Sequence, residues 1–380
     1  MTKIQFIGVI VIGSALLLGT SLSKEEQNIA YWQEPTIKSS LADEPLVLQS
    51  IEDTTSAESI FLQKTKENIP LFFFKKIVGE VCSSKECRLL DIEIYWNITG
   101  RYLGFKLPKG EYLSKNDHEP FTEKEYLQLH SILADESLPL DKVSSGELLQ
   151  KPELGVDAIS GATSKSIVDM VVKGAAYTTF KLWNVVNGST MDKVAEFTAK
   201  QLNPDLLYRI LQSKNVADKL WALNRINSSL ELTTELETKL LEIIASDDFS
   251  LSLIAIKVLS TDHLKSNDLQ NKLFSIYSST NHSKKTAILK KLEEATFLSQ
   301  EIIKSSRQLL PELNGQQLKG LFQLYRKQQI SDKETYLEVA KMLQNENKYI
   351  SKTAYDFLMG QKTDYDDVIE SLKAYEREKL

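Results

Sequence analysis

The chain has 380 residues, 42% hydrophobic and 26% charged, a composition that supports two globular cores and a tail. Forty-six Lys and Arg against 52 Asp and Glu leave a net charge of −6. The basic residues are scattered rather than gathered into a stripe, so nucleic acid is excluded as the expected partner. Two cysteines are too few to ligate an ordinary iron–sulfur cluster.

Lys3 precedes an apolar run over residues 4–22, and Lys24, Glu25 and Glu26 end it. The run reads either as a signal peptide cleaved after Ser23, with Ser21 and Ser23 as the small residues, or as a membrane tether close to the length of one span. No cysteine lies nearby, which excludes a lipoprotein anchor. Both readings of residues 1–23 export the rest, to the periplasm or the outer face of the cytoplasmic membrane. Residues 24–60 are polar, carry Pro35 and Pro45, and lack sustained periodicity, so they read as a linker.

Residues 61–188 read as a small α+β domain. The stretch 70–81 is dense in apolar residues, among them Phe72, Phe73 and Phe74. Leu90, Ile92, Ile94 and Trp96 then alternate with Asp91, Glu93 and Tyr95, the period of a half-buried strand. A second short strand covers 102–107, closed by Pro108 and Gly110. Thr122 and Glu125 predict a capping box, with Phe121 stapled onto Tyr126. Phe72–Phe74 and Tyr95–Trp96 are expected mainly in the core. Cys82 and Cys87 flank Ser-Ser-Lys-Glu. If that loop joins two antiparallel strands, the cysteines face each other at a separation a disulfide can bridge. A structural disulfide suits an exported chain, and a redox-active dithiol is the functional alternative.

Residues 157–164 read Asp-Ala-Ile-Ser-Gly-Ala-Thr-Ser, and a helical pattern follows over 166–183. Gly161 supplies a turn that a ligand can approach closely. Thr163 and Ser164 stand where an N-cap belongs, and Ile167, Val171, Ala175, Thr178 and Leu182 recur on one helical face. A helix start of this kind suits a phosphate; a plain capped turn is the simpler alternative.

The segment resembles the flavinylation motif of FMN-binding domains, found in subunits of sodium-pumping quinone reductases and related electron-transport complexes. The resemblance implies FMN joined covalently through its phosphate to the Thr163 hydroxyl by an FAD-dependent flavin transferase. It implies that Asp157 is the acidic residue the transferase requires, and Ser160, Gly161, Ala162 and Ser164 match the rest of the motif. It lends weak support to His118, in Asp117-His118-Glu119, as a residue near the flavin; as a metal site that triplet is poor, and a solvated loop is the default. His130 falls inside the capped helix and is expected to be partly packed. No catalytic triad, Walker loop or zinc helix is present.

Residues 189–380 read as all-α. Ala222, Ala255, Ala287, Gly320 and Ala354 recur every 32–34 residues. Each is followed by Leu223, Ile256, Ile288, Leu321 or Tyr355, and Ile226, Leu259, Leu324 and Leu358 lie four places on. Small residues at a fixed period let helices stack closely, one hairpin per repeat. Asn203-Pro204 and a Ser331–Glu334 capping box mark helix starts. The pattern resembles a HEAT- or armadillo-type solenoid.

The expected fold is thus an α+β FMN-binding-like domain followed by an all-α HEAT-like solenoid. The expected function is an extracytoplasmic electron carrier, with redox partner proteins docking on the repeats. Two alternatives stand: a non-redox adaptor working through the repeats, and a flavin-dependent reductase of a small substrate.

Overall fold

The computed structural model describes residues 28–38, 47–50, 59–79, 89–115, 118–143, 170–361 and 363–379. An antiparallel sheet near the N-terminus is followed by a mostly helical region. Its strands are β1 (Ala30–Trp32), β2 (Val47–Ser50), β3 (Ile60–Lys64), β4 (Pro70–Gly79), β5 (Leu90–Asn97) and β6 (Tyr102–Lys106), in the spatial order β1-β6-β5-β4-β3-β2. β4 and β5 form the longest ladder, from Phe72 opposite Asn97 to Gly79 opposite Leu90. The alternation in β5 sorts its side chains as the sequence predicts, burying Leu90, Ile92, Ile94 and Trp96.

Three helices cover one sheet face: α1 (Glu123–Leu133), α2 (Ala176–Val186) and α3 (Ser189–Lys200). The predicted capping box of α1 is present, with Thr122 accepting from the Glu125 amide and Glu125 accepting from the Thr122 amide. Phe121 lies 5.3 Å from the Tyr126 ring, completing the staple. The Trp96 indole donates to the Val186 carbonyl of α2 at 2.9 Å. Phe73 meets Phe197 of α3 edge-on at 5.8 Å. The core therefore lies between this sheet face and these helices.

Two expected boundaries move. Residues 24–60 are not only a linker, because they supply β1 and β2. β1 has three residues, too few to show a period, and its ladder partner lies far away on β6. The helical region proper also begins after residue 189, since α3 belongs to the sheet's core. Gly100 is part of that contact, at φ +93 and so close to α3 that a Cβ would sit 2.8 Å from the Met191 carbonyl oxygen.

From Pro204 onward the described residues contain helices and no strand. They are α4 (Pro204–Leu211), α5 (Val216–Leu223), α6 (Thr234–Ala245), α7 (Phe249–Val258), α8 (Asn267–Ser279) and α9 (His282–Leu292). The series continues with α10 (Gln300–Leu309), α11 (Gly315–Lys327), α12 (Lys333–Lys341), α13 (Lys348–Met359) and α14 (Asp366–Lys379). Asn203 caps α4 as expected. Each even-numbered helix packs on the next even-numbered one, and each odd-numbered helix from α5 to α13 on the next odd-numbered one. The result is two layers of helical hairpins.

The recurring small residues all fall in the odd layer, one each on α5, α7, α9, α11 and α13. Ala222, Ala255 and Ala354 are fully buried, while Ala287 and Gly320 are half-buried. The Ser331–Glu334 capping box does not form. Asp332 caps α12 instead, accepting from the Thr335 amide at 2.9 Å and the Thr335 hydroxyl at 2.7 Å. A carboxylate is the stronger acceptor for an orphan amide, and Glu334 pairs with Arg307 on α10.

Polar side chains tie successive hairpins together at helix C-termini, where carbonyls lack partners. Lys284 Nζ donates to the carbonyls of Ile244 and Ser246 at the end of α6. Lys291 Nζ donates to those of Lys257 and Leu259 at the end of α7. Gln328 donates to the carbonyls of Leu292, Glu293 and Ala295 at the end of α9.

Candidate functional site

Asp157, Ser160, Gly161, Ala162, Thr163 and Ser164 lie outside the described residues, as do Cys82 and Cys87. The chain around the motif is described up to Val143 on one side and from Met170 on the other. On the second side, Val171 and Val172 are fully buried. The Val171 carbonyl accepts from Gln128 of α1 at 3.3 Å, and the Val172 amide donates to Thr179 Oγ1 at 3.2 Å. The continuous helix expected over 166–183 is interrupted here. Gly174 takes φ +77 beside the aliphatic stem of Lys115, and α2 starts only at Ala176. A left-handed residue ends helical geometry, and glycine adopts it without a Cβ penalty. Thr163 is thus thirteen residues (163 to 176) before the start of α2, and it is not that helix's cap.

Lys115 and α1 border this stretch. Lys115 Nζ lies 3.1 Å from both Glu119 and Glu125. These two hydrogen bonds, Glu119 first, raise its pKa. His118 is exposed with φ 60, in a loop closed by the Ser114–Pro120 bridge. A solvated loop is therefore where the structure places it. Among the described residues no group of three or more His, Cys, Asp or Glu could hold a metal ion.

His130 is half-buried among Tyr31, Tyr102 and Phe105. Burial pushes its pKa down to about 4, so the ring is neutral at neutral pH. Its Nδ1 lies 3.0 Å from the Tyr102 hydroxyl, whose own pKa burial raises well above the usual value. With the ring proton on Nε2, Tyr102 donates and Nδ1 accepts. The partly packed histidine expected from the sequence is thus observed, in an aromatic setting at the edge of the core.

The aromatic residues divide between the two sheet faces. Phe73 and Trp96 are fully buried in the core. Phe72, Phe74 and Tyr95 point to the opposite face, where they join Phe61 and Trp32. Ring centroids along this row are 5.5 Å for Phe61–Phe74, 5.6 Å for Phe74–Tyr95 and 4.5 Å for Tyr95–Trp32. Strand alternation decides which ring goes where. The run of three phenylalanines hides that alternation in composition.

Sequence reasoning did not find Asp218. This residue of α5 is fully buried and receives bonds from two distant segments and from the turn just before its own helix. Its oxygens accept from Thr36 Oγ1 at 2.9 Å, Thr99 Oγ1 at 2.7 Å and Ser213 Oγ at 2.7 Å. Arg101 adds Nε at 3.1 Å and Nη2 at 2.9 Å, a two-pronged grip on the carboxylate. Arg101 also reaches the Gln33 side chain and the Glu34 carbonyl. Burial raises the Asp218 pKa most, but Arg101 and the two hydroxyls of Thr99 and Ser213 outweigh it and hold the group ionised below the usual carboxylate value. The cluster joins the strap before β2, the β5–β6 turn and the first hairpin. The available signal was slight: an aspartate three residues after the cap Asn215, an ordinary place for an acidic side chain.

The even layer also holds a groove of about 840 Å³ between α10, α12 and α14, with Leu337 and Tyr375 in its wall and Lys304, Glu338 and Glu378 at its rim. Among the described residues no helix is long and apolar enough to cross a membrane. The chain matches no known protein-family model, and no curated protein or solved structure is significantly similar to it.

Proposed function

We propose that the protein is an extracytoplasmic electron-transfer flavoprotein carrying FMN as a phosphoester on Thr163. The observation that carries this reading is the sequence Asp157-Ala-Ile-Ser-Gly-Ala-Thr-Ser164. Six of its residues agree in type and order with the flavinylation motif. The coarse architecture is compatible, with an antiparallel sheet and helices laid on one face of it.

Attachment balances with FAD as donor. The Thr163 hydroxyl oxygen forms a bond to the FMN phosphorus, the pyrophosphate linkage breaks, AMP leaves, and the hydroxyl proton is lost. Asp157 is the acidic residue required by the transferase. When bound, FMN supplies one- and two-electron redox chemistry. The protein supplies attachment and orientation.

The helical hairpins are read as a HEAT-type repeat array that docks a redox partner. The 32–34-residue period and the separation of odd and even helices into layers support this. The groove between α10, α12 and α14 favours a second reading, in which the repeats act as a non-redox adaptor. The cysteine reading is a disulfide between Cys82 and Cys87. Gly79 and Leu90 are the last described partners of the β4–β5 ladder, and each cysteine lies three residues beyond its neighbour in that pair. A chain two mass units lighter before reduction than after it checks this pairing.

Co-expression with an FAD-dependent flavin transferase, read by intact mass and in-gel flavin fluorescence, tests the function. The expected result is a denaturation-resistant gain of one FMN less water, lost in Thr163→Ala and reduced in Asp157→Ala. An unmodified chain beside a labelled control substrate would leave the adaptor reading.

A further inference from the structure

An antiparallel sheet with one packed face ordinarily presents polar side chains on the other. This sheet does so only in part. On the face away from α1, α2 and α3, the register aligns Phe61 with Phe74, Phe74 with Tyr95, Tyr95 with Gly104 and Gly104 with Trp32. One cross-strand row therefore carries four aromatic residues over five strands, with Phe72 beside it. Every ring contact of Phe61, Phe72, Phe74, Tyr95 and Trp32 among the described residues is with another member of this group. The core-side rings Phe73, Tyr102 and Phe105 instead meet α1 or α3.

The orientation of the rings limits the partner. Phe61 and Phe74 stack at 27°, and Phe74 and Tyr95 at 29°. Phe61, Phe74 and Tyr95 thus spend faces on one another, while Trp32 meets Tyr95 tilted at 58°. Base stacking needs a free ring face, and so does stacking on a sugar. A non-directional apolar partner has no such requirement. The row beside the aromatics is charged but mixed in sign, with Lys76 opposite Glu93 and Glu93 opposite Lys106, so it draws neither a strongly acidic nor a strongly basic partner. Val78, on the same face, is 56% exposed.

Trp32 is the most exposed ring of the row at 48%, and it is held in place. It lies over Gly104, where a Cβ would come 3.0 Å from the indole Cε3 and would collide with the Tyr31 carbonyl oxygen. It is also the ring nearest the N-terminus. Seven residues, 23 to 29, separate the apolar run from β1, which makes eight chain steps from residue 22 to Ala30. At about 3.4 Å each they span at most about 27 Å. A chain anchored through residues 4–22 therefore keeps this edge of the sheet next to the bilayer.

We propose that the aromatic face of the sheet rests on the phospholipid surface, with Trp32 inserted at the boundary between headgroups and acyl chains. Tryptophan and tyrosine favour that depth, where an apolar ring and a polar edge are both satisfied. The proposal rests on reading residues 4–22 as a retained anchor. It places the sheet's opposite face and the helical hairpins away from the lipid, free to meet a partner.

Full-length chain made by cell-free synthesis in phosphatidylcholine vesicles, with and without brominated acyl chains, tests it. Trp96 and Trp183 are buried in the core, and Trp221 is covered by the Arg225 guanidinium at 3.7 Å. Brominated lipid is expected to quench the share of emission belonging to one of the four tryptophans. Trp32→Phe should abolish that quenching while the chain still floats with the vesicles. Equal emission with both lipids, from chain that floats, would overturn the docked face and leave the anchor standing. Failure to float would overturn both.

Discussion

The sheet region and the helical hairpins solve the same problem, satisfying buried polar groups between elements, at different sequence distances. In the hairpins the ties repeat at nearly the period of the chain. Lys291 reaches carbonyls 32 and 34 residues back, and Gln328 reaches carbonyls 33 to 36 residues back. In the sheet region the ties are singular and long. Thr36 bonds Asn97 across 61 residues, and Asp218 is joined to Arg101 across 117 and to Thr36 across 182. A repeat array is a sum of neighbour contacts and tolerates local loss. A structure closed by one long-range cluster does not.

The largest expected effect comes from cutting that cluster. Asp218→Ala leaves the Arg101 guanidinium, only 12% exposed, without its counter-charge. Removing one partner of a buried pair costs about 3–5 kcal/mol. Because Asp218 joins the strap, the β5–β6 turn and the first hairpin, the variant should also uncouple the two regions. Urea unfolding should show tryptophan emission and far-ultraviolet circular dichroism changing together in the parent and separately in the variant. Coincident curves in the variant would mean that the core contacts of α3 suffice. The pH sign follows from the lowered pKa: the stabilisation is present above the unfolded carboxylate value near 3.8 and is lost as pH falls through the folded one.

Cutting a repeat tie should be smaller and local. Lys291→Met leaves the carbonyls of Lys257 and Leu259 without this donor, and an unsatisfied buried group costs about 1–3 kcal/mol. Hydrogen exchange should quicken in α7 and α9, with the sheet unchanged. Exchange spreading into β4 and β5 would show that the two regions fold as one cooperative unit.

A third expectation concerns pH and the sheet region. His130 has its pKa pushed down to about 4 by burial, so between that value and about 6.5 the unfolded chain binds a proton the folded chain refuses. Stability is full above the unfolded value and falls as pH drops through this window, by roughly 1 kcal/mol from pH 7 to 5.5. His130→Gln should flatten this loss, as read from denaturation midpoints at the two pH values. An unchanged slope would assign the dependence to other groups.

What could be read in the sequence follows the same division. The period of Ala222, Ala255, Ala287, Gly320 and Ala354 predicts one helical hairpin per recurrence, and the structure places one of these residues on each odd-numbered helix from α5 to α13. The α1 cap and the β5 alternation were legible because each is settled within a few residues. β1 was not, because three residues carry no pattern and its ladder lies some 74 residues on, from Tyr31 to Phe105. Asp218 was not, because nothing local distinguishes a helix-start aspartate from a buried clamp. The interruption of the helix after the motif is hidden in the sequence because Val171 and Ala175 keep helical spacing across Gly174, the residue that breaks it. The Ser331–Glu334 spacing fits a capping box, but spacing carries no measure of acceptor strength, which gives the cap to Asp332.

The smallest expected effect tests why the repeat uses small residues. Glycine inside a helix costs roughly 1 kcal/mol relative to alanine, so Gly320 is unfavourable unless its missing methyl matters. A Cβ there would lie 3.3 Å from Leu289 Cδ1 on α9. That atom ends a flexible side chain, and a shift of a few tenths of an ångström would accommodate the methyl. Gly320→Ala should therefore stabilise the protein by a few tenths of a kcal/mol, less than the full propensity gain. Gly320→Leu, by contrast, should destabilise it by about 1–3 kcal/mol through overpacking. Thermal denaturation of the two variants checks both signs. A loss above about 1 kcal/mol in Gly320→Ala would mean that the backbones of α9 and α11 approach as glycine alone allows. The recurrence would then be a demand for contact at Gly320 itself, rather than the general demand for small size that alanine meets on α5, α7 and α13.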